Sequence, residues 1–463
     1  MEDYEGDEIF EESGGVYICS GNGGPKGLKR AKTRDENVDD DERKLIRREF
    51  EHHEKGVARI NNGSFGCCPS SVLSAQAKWA RLFMQQPDSF YFNSLQKGIL
   101  QSRQIVSNLI NATHVEEVSL VDNVTTAVAI VLQQVAWAFM EGTFKKEEDA
   151  VLMLHYAYGA VKKAIEAYAV RAGACVIKVH LPFPVSSKEE IIDTFREALK
   201  QSKAQSKRIR VAVLDHVTSM PSVVLPVKEL IKICREEGVD QVFVDGAHAI
   251  GSLDIDMQDI GADFYASNLH KWFFCPPPVA FLYCRQQLLP NLHHPVVSSE
   301  YGNGLAIESA WVGNRDYSAQ LSVPAALEFI EQFEGGIEGI RRKNHDCVLR
   351  MAEMLAKAWD THLGSPPELC SSMAMVGLPD CLKVRSEKDA MDLRTLLRKR
   401  FGVEVPIYYR WATVATDPNS TERPKPAFSA YARISHQIYN TTDDYLKFRN
   451  AVNQLVLEGS RLQ

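Results

Sequence analysis

Seven short apolar segments, separated by longer stretches of mixed polarity, constrain the fold of this 463-residue chain more than any other feature. The segments are Val118–Val121, Ala150–Leu154, Cys175–Val179, Ile209–Leu214, Gln241–Val244, Asp263–Ala266 and Val279–Tyr283. Strands that are apolar on both faces and alternate with helices are typical of a parallel sheet covered on both sides. The pattern therefore predicts a three-layer α/β/α domain with a mostly parallel sheet, in which a ligand binds at the carboxyl ends of the strands.

The two ends of the chain differ from this central pattern. Residues 1–42 combine acidic runs with glycine-rich stretches and few apolar residues, which predicts a disordered tail. We expect ordered structure to begin near Arg43, with a charged helix that runs to Glu54. The large domain, with its N-terminal arm, is then expected at 43–323. Residues 324–463 are expected to form a smaller C-terminal α+β domain, which contains a long helix through Asn344 to Trp359.

Composition excludes several classes of partner. The net charge of −7 favours neither nucleic acid nor an anionic membrane, and no apolar run is long enough to span a bilayer. The ten cysteines are scattered without Cys-x-x-Cys spacing, which predicts a reducing compartment, no disulfide framework and no metal site. The N-terminus is acidic, so we expect a cytoplasmic protein without a secretory signal. A basic cluster in the tail keeps nuclear import open, although a solvated tail is the favoured interpretation: Lys26, Lys29, Arg30, Lys32 and Arg34.

Two charged residues follow predicted strands and point to chemistry. Asp245 comes directly after the run Gln241–Val244, and a carboxylate in that position should be partly buried and need a partner. It is either a helix N-cap or the partner of a cationic nitrogen in a ligand. Lys271 ends another strand 26 residues later, next to His270 and before an apolar segment. Desolvation there would lower its pKa and make it nucleophilic.

A third element is the segment Val118–Ala127, in which a strand turns into a helix. Thr125 and Thr126 lie at the start of that helix, where free N–H groups and the helix dipole favour a phosphate. Threonine is also a common N-cap, so this signal alone is weak. The glycine-rich stretch at 21–27 follows no strand and is rejected as a nucleotide loop.

In this order, the three elements resemble those of the class V aminotransferase-like group of fold-type I enzymes, which depend on pyridoxal 5′-phosphate (PLP). That group includes cysteine desulfurases, kynureninases and isopenicillin N epimerase-like proteins. The motif Asp245-Gly-Ala-His248 followed by His270-Lys271 carries the resemblance, which extends from roughly Arg59 to the C-terminus. It implies the PLP-dependent transferase fold and PLP as the cofactor.

The resemblance also implies a role for each matching residue. Lys271 would hold the cofactor as a Schiff base, and Asp245 would pair with its pyridine nitrogen. His248 and Ser219 would contact the ring near O3′, and Tyr158 would stack on the ring. The phosphate would be bound by Thr125, Thr126, Asn268 and His270.

Two further matches concern the substrate and a second subunit. The segment Tyr431-Ala-Arg433 resembles the motif that binds the substrate α-carboxylate, a role that a guanidinium suits well. A surface arginine in a salt bridge is the alternative. Asn314 matches a threonine that reaches the phosphate across a homodimer interface, and an amide can still donate there. Asn62 and Ser64 are expected near the substrate.

The absence of one cysteine limits which reactions of this family the chain is expected to catalyse. Desulfurases of this group form a persulfide on a mobile-loop cysteine that lies a few tens of residues before the carboxylate arginine, whereas this chain has no cysteine after Cys381. The segments Arg59–Pro69, His216–Pro221 and Ser267–Pro276 instead resemble cysteine-degrading lyases of plants. They imply β-elimination from L-cysteine to hydrogen sulfide, pyruvate and ammonia. A lyase for a larger S-substituted cysteine or sulfoxide, an epimerase of the same family and a catalytically silent scaffold remain alternatives.

Overall fold

A computed structural model describes residues 34–410 and 430–461. The strands are β1 Ala58–Arg59, β2 Val118–Val121, β3 Asp149–Leu154, β4 Cys175–Val179, β5 Arg208–Asp215, β6 Gln241–Asp245, β7 Phe264–Asn268, β8 Ala280–Cys284, β9 Met373–Gly377, β10 Val403–Glu404, β11 Ile407–Tyr409 and β12 Ala430–Ser435. The helices are α1 Arg34–Glu49, α2 Asn62–Phe65, α3 Ser70–Gln85, α4 Pro87–Ser89, α5 Gln96–Leu109, α6 Val124–Met140, α7 Gly159–Ala164, α8 Lys188–Ala204, α9 Val227–Glu236, α10 Met257–Ile260, α11 Leu269–Trp272, α12 Leu305–Ala310, α13 Ser318–Leu321, α14 Val323–Ile330, α15 Gly336–Trp359, α16 Glu387–Phe401 and α17 Thr442–Arg461. Two π-helical segments, Phe90–Leu95 and Ile165–Val170, precede α5 and follow α7.

The central sheet has seven strands in the order β2-β8-β7-β6-β5-β3-β4. All seven correspond to the predicted apolar segments. Only β8 runs in the direction opposite to the other six strands, so the sheet is mostly parallel, as predicted. The carboxyl ends of β5, β6 and β7 therefore lie together at one edge of the sheet.

Alternate residues of the strands supply two separate cores. Leu152 and Leu154 of β3 pack on one face, whereas Val151 and Met153 pack on the other. The first face is covered by helices such as α9, and the second face is covered by α6. This arrangement explains why the segments are apolar throughout, and it confirms the three-layer α/β/α fold.

The C-terminal part combines helices with small sheets. Strands β11, β12 and β9 form an antiparallel sheet, and β1 pairs in parallel with β10. Helices α15 and α17 pack on this region through a core that includes Val348, Leu355 and Phe448. The predicted long helix begins at Gly336, earlier than expected, and ends at Trp359 as expected. The domain bounds 43–323 and 324–463 stay a prediction.

The N-terminal helix differs from the expectation. It spans Arg34–Glu49, so it begins within the segment that was expected to be a tail and ends before Glu54. Residues 50–57 form turns and irregular structure instead, and Gly56 has a left-handed φ of +79°. The chain divides into two units after Lys44, and every strand belongs to the unit that begins at Leu45. Predictions for residues 1–33 lie outside the described residues.

Among the helices of 34–410 and 430–461, none is long and apolar enough to cross a membrane. The nine cysteines in these two ranges are all free thiols.

Candidate active site

A cavity of about 390 Å³ lies at the carboxyl ends of β5, β6 and β7. Its wall includes nine of the residues that the sequence singled out: Ser64, Thr125, Tyr158, Ser219, Asp245, His248, Asn268, His270 and Lys271. They come from six separate parts of the chain, and the fold brings them together. Asn62, Thr126, Asn314 and Arg433 are not part of this wall.

Lys271 is the amine of the cavity. It lies on the short helix α11, which begins directly after β7, so its position follows from the end of that strand. Its Nζ is 3.3 Å from Nε2 of His248. Burial lowers the pKa of Lys271 to about 7, although the charge of Asp245 opposes the shift. A substantial fraction of the amine is therefore neutral, and hence nucleophilic, at neutral pH.

His248 is buried beside this amine. It is only 2% exposed, and its Nδ1 is buried without a hydrogen-bond partner among the described residues. Burial lowers the pKa of His248 well below its usual value, and the charges of Lys271 and Arg433 act in the same direction. The imidazole is therefore neutral, so it can accept a hydrogen bond from the lysine.

Two carboxyl groups end neighbouring strands at the bottom of the cavity. Asp245 is the last residue of β6, and its Oδ1 accepts a hydrogen bond of 2.9 Å from the N–H of Ala247. Asp215 is the last residue of β5 and lies opposite Asp245 in the parallel register. Burial is the main cause that raises the pKa of both carboxyls above their usual range. The sequence predicts a role for Asp245, whereas Asp215 is found only from the structure.

The start of helix α6 forms another side of the cavity. Asn123 is its N-cap, and its side chain accepts a hydrogen bond of 3.0 Å from the N–H of Thr126. The side chain of Asn268 accepts one of 3.1 Å from the N–H of Val124. Thr125 lines the cavity, whereas Thr126 is occupied with the cap. The positive end of a 17-residue helix therefore faces the cavity.

Arg433 lies just behind the cavity wall, in the middle of β12. Its side chain is buried, and its guanidinium binds two residues of the wall. Nη1 donates to the backbone oxygen of Ser219 at 2.8 Å, and Nη2 donates to Oγ of Ser64 at 2.8 Å. Nη2 also donates to Oδ1 of Asn61 at 3.1 Å, while Nε is buried without a partner among the described residues. Burial lowers the pKa of Arg433 to about 10, and the nearby charge of Arg394 contributes.

Two predicted asparagines, Asn62 and Asn314, lie outside the cavity wall. Asn62 points away from the cavity, where its side chain donates to Oδ1 of Asn440 at 2.9 Å and accepts from the hydroxyl of Tyr439. Asn61 is the residue that contacts the arginine. Asn314 is exposed and does not line the cavity of this single chain. Tyr158 lines the cavity with a side chain that is 55% exposed.

Comparison with known proteins agrees with this geometry. The family model for class-V aminotransferases matches residues 88–448. The chain belongs to the class-V aminotransferase family.

Two plant proteins of high identity narrow the comparison. A protein from Oryza sativa subsp. japonica named “Putative L-cysteine desulfhydrase 1” is 63% identical over 89% of this chain and 86% of its own length. A protein from Arabidopsis thaliana named “Probable L-cysteine desulfhydrase, chloroplastic” is 60% identical over 89% of this chain and 86% of its own length. Among solved structures, a C-DES mutant with glycine covalently linked to its PLP cofactor superposes with a TM-score of 0.65. It is 18% identical and covers 89% of this chain and 98% of that chain, so the likeness concerns the fold.

Membership of the class-V aminotransferase family implies PLP, and the cavity fits that molecule. PLP carries a cationic ring nitrogen, an aldehyde and a phosphate. The buried carboxyls of Asp245 and Asp215 suit the ring nitrogen, and the second oxygen of Asp215 lacks a partner among the described residues. The amine of Lys271 suits the aldehyde, and the start of α6 suits the phosphate.

Proposed function

We propose that the protein is a PLP-dependent carbon–sulfur lyase that degrades L-cysteine to hydrogen sulfide, pyruvate and ammonia. The observation that carries the substrate assignment is the identity of 63% and 60%, over 89% of the chain, to two plant proteins named L-cysteine desulfhydrase. The observation that supports the chemistry is one cavity with an amine, a buried carboxyl pair and a helix start.

Different residues of the chain would bind different parts of the cofactor. Lys271 would hold it covalently, Asp245 would pair with the ring nitrogen, and His248 and Ser219 would contact the ring near O3′. Thr125, Asn268 and His270 would bind the phosphate, together with the positive end of the α6 dipole, while Tyr158 would cover the ring. When bound, PLP withdraws electrons from Cα of the substrate, which makes the Cα–H bond acidic.

Two side chains would act on the substrate, one by binding its α-carboxylate and the other by removing its Cα proton. Arg433 would bind the α-carboxylate, and its contacts with Asn61 and Ser64 fix the direction of the guanidinium. The amine of Lys271, once released from the cofactor by the substrate, would remove the Cα proton, because its lowered pKa leaves it neutral near pH 7. The electron pair left at Cα would form a Cα–Cβ double bond as the Cβ–S bond breaks, and the sulfur would leave as a thiolate that takes up a proton to give hydrogen sulfide. The released unsaturated amine would then react with water to give pyruvate and ammonia.

The test is to supply L-cysteine to the PLP-loaded protein and to measure sulfide and pyruvate together. Equal amounts of both products are expected, because β-elimination releases one of each. Lys271→Ala should abolish both, whereas Lys163→Ala, at an exposed lysine that pairs with Glu166, should change neither. Alanine in place of pyruvate would instead indicate desulfuration. Activity only with larger S-substituted cysteines would identify those compounds, and not L-cysteine, as the substrates.

We also propose that the active form is a homodimer. Asn314 is exposed and lies outside the cavity of one chain, so its predicted contact with the phosphate requires a second chain. Light scattering after size-exclusion chromatography should give twice the mass of 51.9 kDa. A monomeric mass with full activity would remove the predicted role of Asn314.

We propose a cytoplasmic location, with the nucleus as the alternative suggested by the basic cluster before Asp35. The chloroplastic name of one relative adds the plastid as a third compartment. Imaging of a fluorescent fusion at the C-terminus, which keeps the N-terminus free, separates the three.

A further inference from the structure

The two carboxyls at the bottom of the cavity form a pair that the proposed function uses only in part. Asp215 and Asp245 end adjacent parallel strands in direct register, and side chains at such positions point to the same side of a sheet. They are 3% and 5% exposed, and both line the same cavity. Asp245 has a hydrogen bond from the N–H of Ala247, whereas Oδ2 of Asp215 is buried without a partner among the described residues.

The charges around the pair do not neutralise it. Lys162, on the partly buried helix α7, acts on Asp215, and Lys271 acts on Asp245. Neither amine has a hydrogen bond to the pair among the described residues, and Lys271 is close to His248 instead. His216 and Tyr265 lie beside the pair and bind each other at 2.7 Å, and burial holds the first neutral.

Ionising two carboxyl groups that are buried side by side has a high free-energy cost, because their negative charges repel each other. One of the two therefore keeps a proton. Burial and the negative charge of Asp245 raise the pKa of Asp215 well above its usual range. The hydrogen bond from Ala247 and the charge of Lys271 oppose the corresponding shift at Asp245. The proton of the pair therefore belongs on Asp215, whose second oxygen has no donor to stabilise a negative charge.

We propose that Asp215 is a second cofactor-binding acid, which carries a proton while the cavity is empty and releases it to solvent when a cationic ring nitrogen pairs with Asp245. The inference rests on the proposed binding of PLP. It concerns the binding equilibrium and not the reaction that follows. One proton leaves the Asp215 carboxyl, and no other bond forms or breaks at this residue.

A proton released on binding makes affinity depend on pH. A carboxyl with a raised pKa in the empty protein and a lower pKa in the complex favours binding more as pH rises through the interval between the two values. Within that interval the dissociation constant of PLP should fall by about tenfold per pH unit from this one proton. Asp215→Asn has no proton to release, so that part of the pH dependence should disappear.

The experiment is calorimetric titration of PLP into the cofactor-depleted full-length protein, in buffers with different ionisation enthalpies. Lys271 also changes protonation on binding, so the decisive quantity is the difference between wild type and Asp215→Asn. Wild type should release about one proton more per site than this variant. Asp254→Asn, at an exposed aspartate, should release as many protons as wild type. Equal proton release in wild type and Asp215→Asn would overturn the inference.

Infrared spectroscopy separates this inference from the proposed function. The carbonyl band of a protonated buried carboxyl should appear in the empty wild-type protein and be absent from Asp215→Asn and Asp215→Ser. If PLP does not bind at all, the proposed function fails, while this band still shows whether Asp215 carries a proton in the empty protein. Absence of the band from the empty wild type would overturn the inference, even if PLP binds.

Discussion

Nζ of Lys271 lies 3.3 Å from Nε2 of His248, and both groups are held where a positive charge is disfavoured. The imidazole stays neutral because it is buried and faces two cations. It therefore adds no charge of its own that would lower the pKa of Lys271 further. The value of about 7 for the lysine arises mainly from its own burial.

This relationship predicts how PLP attachment depends on pH. An amine attacks an aldehyde only when it is deprotonated, so the rate should rise with pH and level off above the pKa of Lys271. The midpoint should lie near pH 7. The visible absorbance of the cofactor, followed after mixing with cofactor-depleted protein, measures this rate. A midpoint close to that of an ordinary lysine, about 10.4, would contradict the predicted environment.

Arg433→Lys should weaken binding of L-cysteine. A lysine keeps the charge but cannot present the planar pair of donors that suits a carboxylate. Hydrogen bonds to charged groups contribute about 1.5–3 kcal/mol, so we expect kcat/KM to fall roughly 10- to 100-fold, mainly through KM. Arg400→Lys is the matched control, because Arg400 lies outside the cavity wall and pairs with Glu458, so its KM should stay unchanged. An unchanged KM in Arg433→Lys would exclude the predicted role.

The fold could be predicted from the sequence because its strands are local features. Each apolar segment of the central sheet corresponds to one strand. The positions of Asp245 and Lys271 at the cavity then follow from the ends of two of these strands. The same argument applies to Asp215, which also follows an apolar run. The sequence therefore contained the signal for the second carboxyl, and the prediction overlooked it.

Other features of the site depend on contacts between distant parts of the chain. Asn61 and Asn62 are adjacent and chemically identical, and only contacts with β12 and with Tyr439 decide which of them faces the arginine. Arg394 reaches the cavity because of how α16 packs, and no local pattern marks it. The bounds of α1 were also missed, because a charged segment lacks the apolar spacing that reveals a helix.

Two helix caps allow the start of α6 to be tested separately from general stability. Asn123 caps α6 through the N–H of Thr126 at 3.0 Å, and Ser187 caps α8 through the N–H of Glu190 at 3.3 Å. Replacing either by alanine should lower the free energy of unfolding by about 1 kcal/mol. Only Asn123→Ala should also weaken PLP binding, by roughly fivefold, because an anion at a helix start gains about 1 kcal/mol. Equal affinity in both variants would show that the helix start does not bind the phosphate.

Gly66 provides the sharpest test of how the backbone positions Lys271. A Cβ atom at this position would lie 2.0 Å from the backbone oxygen of His270 and 2.8 Å from Cα of Lys271. Gly66 also has a φ of +68°, which disfavours any residue with a side chain. Gly66→Ala should therefore move the backbone that carries the lysine, since neither contacting atom belongs to a flexible side chain.

Gly56→Ala separates the two effects. Gly56 has a similar φ of +79°, but a Cβ atom there would meet nothing within 4 Å. Its substitution should cost only the left-handed backbone conformation, about 1–2 kcal/mol. Gly66→Ala should cost several kcal/mol more in chemical unfolding and should reduce PLP binding in the protein that remains folded. Equal unfolding free energies and equal cofactor absorbance in the two variants would mean that the segment after α2 does not hold the lysine in place.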